Sequence, residues 1–222
     1  MPPRPTLITG FAPYGGRGTN PAAELAGALD GRRIDGRPVV GRTLPVSYRE
    51  LPQRIEALLA ETQPAVVISI GLWPGEPMIR IERVGVNVAS FEIPDNEGRL
   101  VRDEPVRANG PAALAASLPI RAIEAALLGA GIPARISDTA GTFLCNAALY
   151  GFLGAVERLA PAALCGFIHV PYLPSQVAGL VADLRRGETL ELHQRADLAS
   201  MDLAVQLRAL ELAIEISSQA AG

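Results

Sequence analysis

Nearly continuous apolar runs of strand length alternate along this chain with amphipathic stretches of helical length, and that alternation restricts the fold more than any other feature. AVVISIG at 65–71 and ALCGFIHV at 163–170 are the clearest such runs. Strands of this kind are buried on both faces, which requires helices on both sides of a largely parallel sheet. Residues 6–9 (TLIT), 39–46 and 134–137 (ARIS) read as further strands.

Helical spacing covers 21–29, with Asn20 as N-cap and Pro21 in the first turn, and 48–61, where Pro52 starts the regular part. It also covers 120–129, ended by Gly129 or Gly131, and 144–159. A last amphipathic helix is expected over 198–216, carrying Leu198, Met201, Leu203, Val205, Leu207, Leu210, Ile214 and Ile216. Residues 78–90 (MIRIERVGVNVAS) alternate apolar and polar positions, predicting a strand or hairpin with one wet face. PDNEG at 94–98 supplies turn chemistry, and 99–117 reads as an irregular excursion from the sheet. The 222 residues suit one domain spanning 1–222 around a single large core.

Composition narrows the chemistry through what is scarce. All 20 basic residues are arginine, so lysine Schiff-base chemistry and a P-loop lysine are excluded. Two histidines, His169 and His193, and two cysteines, Cys145 and Cys165, are too few for a His-rich or CxxC-type metal site. A formal charge of −3 without blocks of like charge argues against a nucleic-acid or anionic-membrane partner. The N-terminus MPPRPTLITGFAPYGG lacks a signal-peptide apolar core, and no run approaches the roughly 18 apolar residues of a membrane span. Free thiols in a reducing cytoplasm are the resulting expectation.

Cys145 lies in DTAGTFLCN, where Thr142 could cap a helix and place the cysteine in its first turn. Unpaired amides and the positive helix end there favour a thiolate and offer donors to an oxyanion. A small core residue is the plain alternative. Cys165, inside an apolar strand, reads as core.

His169 stands at the C-terminal end of a strand before Pro171, the sheet edge where α/β folds bind ligands, and could serve as general base or as a structural histidine. His193, in ELHQR, reads as a surface residue. Glu82 in RIERV could orient the base or pair with Arg80 or Arg83. The loop GFAPYGG lacks phosphate-loop patterns, but Phe11 and Tyr14 offer a planar apolar lining for a small ring.

Four segments together, TGFAPYGGRGTNP at 9–21, IERVGVNVASFEIPDNEG at 81–98, SDTAGTFLCN at 137–146 and GFIHVPYLPSQ at 166–176, resemble the type I pyroglutamyl peptidases, a family of cysteine peptidases. The resemblance spans nearly the whole chain. It implies a three-layer αβα sandwich with a mixed, mostly parallel central sheet, of phosphorylase/hydrolase-like form. It makes Cys145 the nucleophile, His169 the general base and Glu82 the acid that orients it. A peptide with an N-terminal pyroglutamate is the implied substrate, with Phe11, Tyr14, Asn20, Leu72, Glu92 and Phe143 around the neutral lactam and neither metal nor organic cofactor.

The resemblance further implies a homo-oligomer, dimer or tetramer, and the Leu72-Trp73 pair would suit an interface or a pocket rim. Two positions depart from the family. Glu92 stands where an arginine is common, and close to Cys145 it would raise the thiol pKa; Leu72 stands where some members have glutamine. Two other readings follow, a lactam-binding homologue without turnover and, as the family fold resembles that of nucleoside phosphorylases, a phosphorolytic enzyme. The missing phosphate-loop signature argues against the last.

Overall fold

In a computed structural model, which describes residues 3–189 and 198–221, seven strands form one sheet between two layers of helices. In chain order they are β1 (Thr6–Phe11), β2 (Arg33–Ile34), β3 (Arg37–Leu44), β4 (Val66–Leu72), β5 (Ile79–Glu82), β8 (Ala134–Ser137) and β9 (Leu164–Val170), while β6 (Val84–Val86) and β7 (Ala113–Ala115) make a separate ribbon. The order across the sheet is β2-β3-β1-β4-β9-β5-β8. Neighbours are parallel except at β2/β3 and at β5/β9. The mixed, mostly parallel αβα sandwich expected from the sequence is therefore the fold.

Helices α1 (Pro21–Leu29), α3 (Ile120–Gly129) and α6 (Leu203–Ala220) cover one face, packing Leu25, Leu29, Ile123, Leu127 and Ile214 on Ile8, Ile68, Ile81 and Ile168. Helices α2 (Leu51–Thr62) and α4 (Leu144–Leu159) cover the other, where Ile55, Leu58, Leu149 and Phe152 meet Leu7, Val67 and Phe167. The two apolar faces of β1, β4 and β9 thus feed separate cores, as their uninterrupted sequence requires. Asn20 caps α1, its Oδ1 accepting from the Ala22 amide at 3.0 Å.

Several local expectations are corrected. The 78–90 segment divides between two sheets, and β5 is buried throughout. Its alternation sorts Ile79 and Ile81 into one core and Arg80 and Glu82 against the other side, so the polar face is enclosed rather than wet. Thr142 does not cap α4, because its hydroxyl donates to the Ser90 carbonyl at 2.7 Å; Phe143 occupies the N-cap without a side-chain hydrogen bond.

The last helix begins at Leu203, behind an Asp202 cap. Leu198 and Met201 precede it, in a stretch held beside Tyr172 by the Met201 amide bonding its carbonyl at 2.8 Å. Helix α5 (Pro174–Arg185) has no counterpart in the sequence reading. Only Leu180 and Asp183 of it are buried, so no apolar stripe stands out, and Pro174 at its start reads equally as a turn. His193 lies outside the described residues.

Candidate active site

The parallel strands β4 and β9 end side by side, and the register across the sheet sets Gly71 opposite His169 and His169 opposite Arg80. Paired residues point to the same face, so this row and Glu82, two residues beyond Arg80, all face the α4 side. Above the row, Cys145 is the second residue of α4. A Cβ on Gly71 would lie 2.7 Å from the Cys145 Sγ and 2.8 Å from the Phe167 ring, so only glycine lets the sulfur rest on the sheet beside His169.

His169 is wholly buried. Its Nδ1 is 2.8 Å from Glu82 Oε1, and since a carboxylate accepts, Nδ1 carries the proton and Nε2 presents a lone pair. Nε2 has no hydrogen-bond partner among the described residues and belongs to a side chain that lines a cavity. The ring is fixed by Trp73, edge-on at 5.0 Å between centroids, and by Phe167 at 4.7 Å. Burial, opposed by the Glu82 carboxylate, leaves the imidazole pKa below its ordinary value, which favours the neutral base.

Cys145 is partly exposed to the same cavity. Its thiol is pushed up to about 12, chiefly by burial and secondarily by the charge of Glu82. Burial thus opposes the thiolate that the helix terminus was expected to favour. Nor is Glu92 the acid that raises it. The sulfur rests as a thiol and needs a base to take its proton, while the start of α4, without a side-chain cap, borders the same cavity. Cys165, fully buried in β9, exchanges hydrogen bonds with Ser117 through its backbone, and burial raises its thiol as well. Both cysteines are free, and Cys165 is core.

The cavity has a volume of about 640 Å³ and reaches Phe11, Tyr14, Asn20, Leu72, Glu92 and Phe143 together with Cys145 and His169. Every residue singled out for the site except Glu82 therefore lines it, and Glu82 bonds His169 from behind. Tyr14, Phe143 and Phe91 form a chain of rings with centroids 6.3 and 4.7 Å apart. Asn20 is occupied within its own loop, bonding Ala22 and the Ala12 carbonyl. Trp73 faces the cavity beside Leu72, which makes this pair pocket rim. Glu92 is exposed at the margin.

Sequence reasoning missed the residues that hold the walls. Asn146 bonds the Val86 amide and the Val86 and Val88 carbonyls, each at 2.9 Å, tying the ribbon strand to α4 one residue beyond the cysteine. Asp95 accepts from the amides of Tyr48, Glu97 and Arg99 and so fixes the turn that carries Glu92. A polar residue beside a candidate nucleophile was the available signal for Asn146. Among the described residues no group of three or more His, Cys, Asp or Glu side chains could hold a metal, and no helix is long and apolar enough to cross a membrane.

Comparison with known proteins identifies the family. A family model described as pyroglutamyl peptidase matches residues 4–220. Pyrrolidone-carboxylate peptidase of Pyrococcus furiosus is 38% identical over 211 residues, covering 95% of this chain and 96% of the relative. That of Chromobacterium violaceum is 43% identical over 201 residues, covering 90% of each. A crystal structure of the pyrrolidone carboxyl peptidase from Pyrococcus furiosus superposes with a TM-score of 0.88 at 37% identity, covering 98% of this chain and 99% of that one. With one fold, nearly full mutual coverage and a family model matching almost the whole chain, the chain belongs to the pyroglutamyl peptidase family of cysteine peptidases.

Proposed function

We propose that this protein is an active omega peptidase that hydrolyses the amide bond after an N-terminal pyroglutamyl residue, with Cys145 as nucleophile, His169 as general base and acid, and Glu82 as the carboxylate that orients it. The observation that carries the reading is the convergence on one cavity of a thiol at an uncapped helix start and a buried imidazole whose Nε2 is free while Nδ1 is held by a carboxylate. Phe11, Tyr14 and Phe143 supply the apolar walls for a lactam, beside Leu72 and Asn20, and no cofactor is required.

The reaction begins with transfer of the Cys145 proton to His169 Nε2 as sulfur attacks the pyroglutamyl carbonyl. Negative charge develops on the carbonyl oxygen, where the first amides of α4 act as donors. The imidazolium, stabilised by Glu82, gives its proton to the departing amine as the C–N bond breaks and leaves a thioester. Water then loses a proton to His169, attacks the thioester, and the sulfur departs and is reprotonated. With burial pushing the thiol up to about 12, the sulfur depends on His169 to take its proton.

A fluorogenic pyroglutamyl amide under reducing conditions tests this. Release by the wild type, abolished by Cys145→Ala, is the expected result. Release that survives Cys145→Ala, or no release by the wild type, refutes it. The second reading, lactam binding without turnover, rests on Glu92 at the cavity margin. It requires pyroglutamate to raise the melting temperature while the amide stays intact. The same proposal places one peptidase domain over residues 1–222, a homo-oligomer of two or four copies, and a cytoplasmic location, each resting on the family resemblance and, for the last, on free thiols.

A further inference from the structure

The geometry points to Arg80 as a positioning residue that fixes the Glu82 carboxylate against His169 and the Trp73 ring against the substrate cavity at the same time. The inference rests on the peptidase reading for its kinetic measurements, though not for its spectroscopic one.

Arg80 is almost fully buried, and each of its guanidinium nitrogens has an acceptor. Its Nε donates to Glu82 Oε1 at 3.1 Å, the same oxygen that accepts from His169 Nδ1 at 2.8 Å. One terminal nitrogen reaches Glu76 Oε2 at 3.4 Å, and the other donates to Ser137 Oγ at 2.7 Å and to the Thr139 carbonyl at 2.6 Å. The arginine and the histidine that were alternative partners for Glu82 in the sequence thus meet on one of its oxygens. Glu82 Oε2 has no partner among the described residues, so the carboxylate's orientation depends on what holds Oε1.

The flat face of the same guanidinium lies 3.8 Å from the centre of the Trp73 ring, whose edge meets His169 and whose surface lines the cavity. A planar fork can bond in its plane and stack above it, which the ammonium of lysine cannot do. Base and pocket wall therefore share one rigid support. Gly141, at φ 74°, also approaches this wall, since an added Cβ would lie 3.4 Å from the Trp73 ring.

The charged and titratable groups facing His169 are Glu82 and Arg80 on β5, Glu76 in the preceding loop and Cys145 on α4, with Arg135 of β8 reaching in only through Glu76. Arg80 lowers the proton affinity of the imidazole, whereas Glu82 and Glu76 raise it. Removing the Arg80 charge leaves Glu82 without its arginine and Glu76 paired with Arg135 alone, so the Glu82–His169 pair binds its proton at higher pH. Removing Glu76 does the opposite.

The test compares Arg80→Gln, Arg80→Lys and Glu76→Gln in the full chain, using pH profiles of kcat/KM for a pyroglutamyl amide and ¹⁵N shifts of the His169 ring. In Arg80→Gln the acidic limb and the His169 titration both move up by about one pH unit, and KM rises roughly tenfold as Trp73 is released. Arg80→Lys keeps the limb near its wild-type position but not the KM. Glu76→Gln moves the limb down.

A uniform loss of kcat/KM with limb and titration unchanged in Arg80→Gln would mark Arg80 as structural filler and overturn the inference. If that variant does not fold, an unmoved limb in Glu76→Gln together with wild-type KM in Arg80→Lys overturns it equally. A wild type without turnover refutes the peptidase reading alone, since the His169 titration still reports on Arg80.

Discussion

Cys145 and Cys165 belong to the same side of the sheet, both are thiols at rest, and burial raises the pKa of each. What separates them is their neighbours. Cys165 is enclosed by the core and bonded through its backbone to Ser117, and burial alone raises its thiol. Cys145 borders a cavity, rests over a glycine and lies across one sheet position from a buried neutral imidazole. On the proposed mechanism, reactivity comes from access and a paired base rather than from the resting thiol.

The sharpest way to break this comparison is to delete each sulfur in turn. Cys145→Ala should lower kcat by 10³-fold or more, while Cys165→Ala should keep turnover and cost about 1 kcal/mol of stability, read as a melting shift of roughly 2–4 °C. Comparable losses of activity in both would mean that position in the core, not the paired base, distinguishes them.

Next in size is Gly71→Ala. The new methyl must displace the Cys145 sulfur or the Phe167 ring, and a shift of about 1 Å in a nucleophile costs on the order of 10²-fold in kcat/KM. Wild-type kinetics in a folded Gly71→Ala protein would show that the sulfur does not need this seat.

His169 makes the comparison depend on pH. Its folded pKa lies below the ordinary value of 6.5, so above 6.5 both folded and unfolded states hold it neutral and its contribution to stability is complete. As pH falls below 6.5 the unfolded chain binds the proton first, and stability declines toward the folded pKa. Melting temperature should therefore drop more steeply between pH 6.5 and 5 in the wild type than in His169→Gln. For the same reason the acidic limb of kcat/KM should lie below 6.5. Parallel melting curves for the two proteins would remove the case for a buried neutral base.

The smallest effect is expected at Glu92, exposed at the cavity margin and not among the groups that raise the Cys145 thiol. Glu92→Gln should change kcat/KM for neutral pyroglutamyl amides by less than about threefold, because an exposed charge is screened. A peptide with a cationic second residue should lose more than one with an acidic second residue. A gain of tenfold or more in the variant would favour the reading in which Glu92 impairs turnover.

Much of the fold was legible because its signals are local. The bounds of α1 and α4, the buried character of β4 and β9, and the turn at PDNEG follow from periodicity, caps and turn residues lying within a few positions of one another. Helix α5 was not, since Val177, Leu180 and a proline start give little amphipathic contrast. In the site, scarcity left two cysteines and two histidines to choose from, and position together with the family motifs selected Cys145 and His169. Glu82 was recognisable only through its motif, because an acid flanked by arginines on an alternating strand usually marks a solvated face.

By itself the sequence determined the layered α/β fold, the absence of lysine chemistry and the short roster of catalytic candidates, all properties of residue type and local spacing. Tertiary structure alone decided that β5 inserts antiparallel beside β9, which turns the apparent wet face of RIERV inward and sets Arg80, Glu82 and His169 on one hydrogen-bonded unit. It also decided that Cys145 rests as a thiol despite its helix terminus. Both outcomes depend on register between segments that lie far apart along the chain, and on the desolvation this register imposes, neither of which any local pattern encodes.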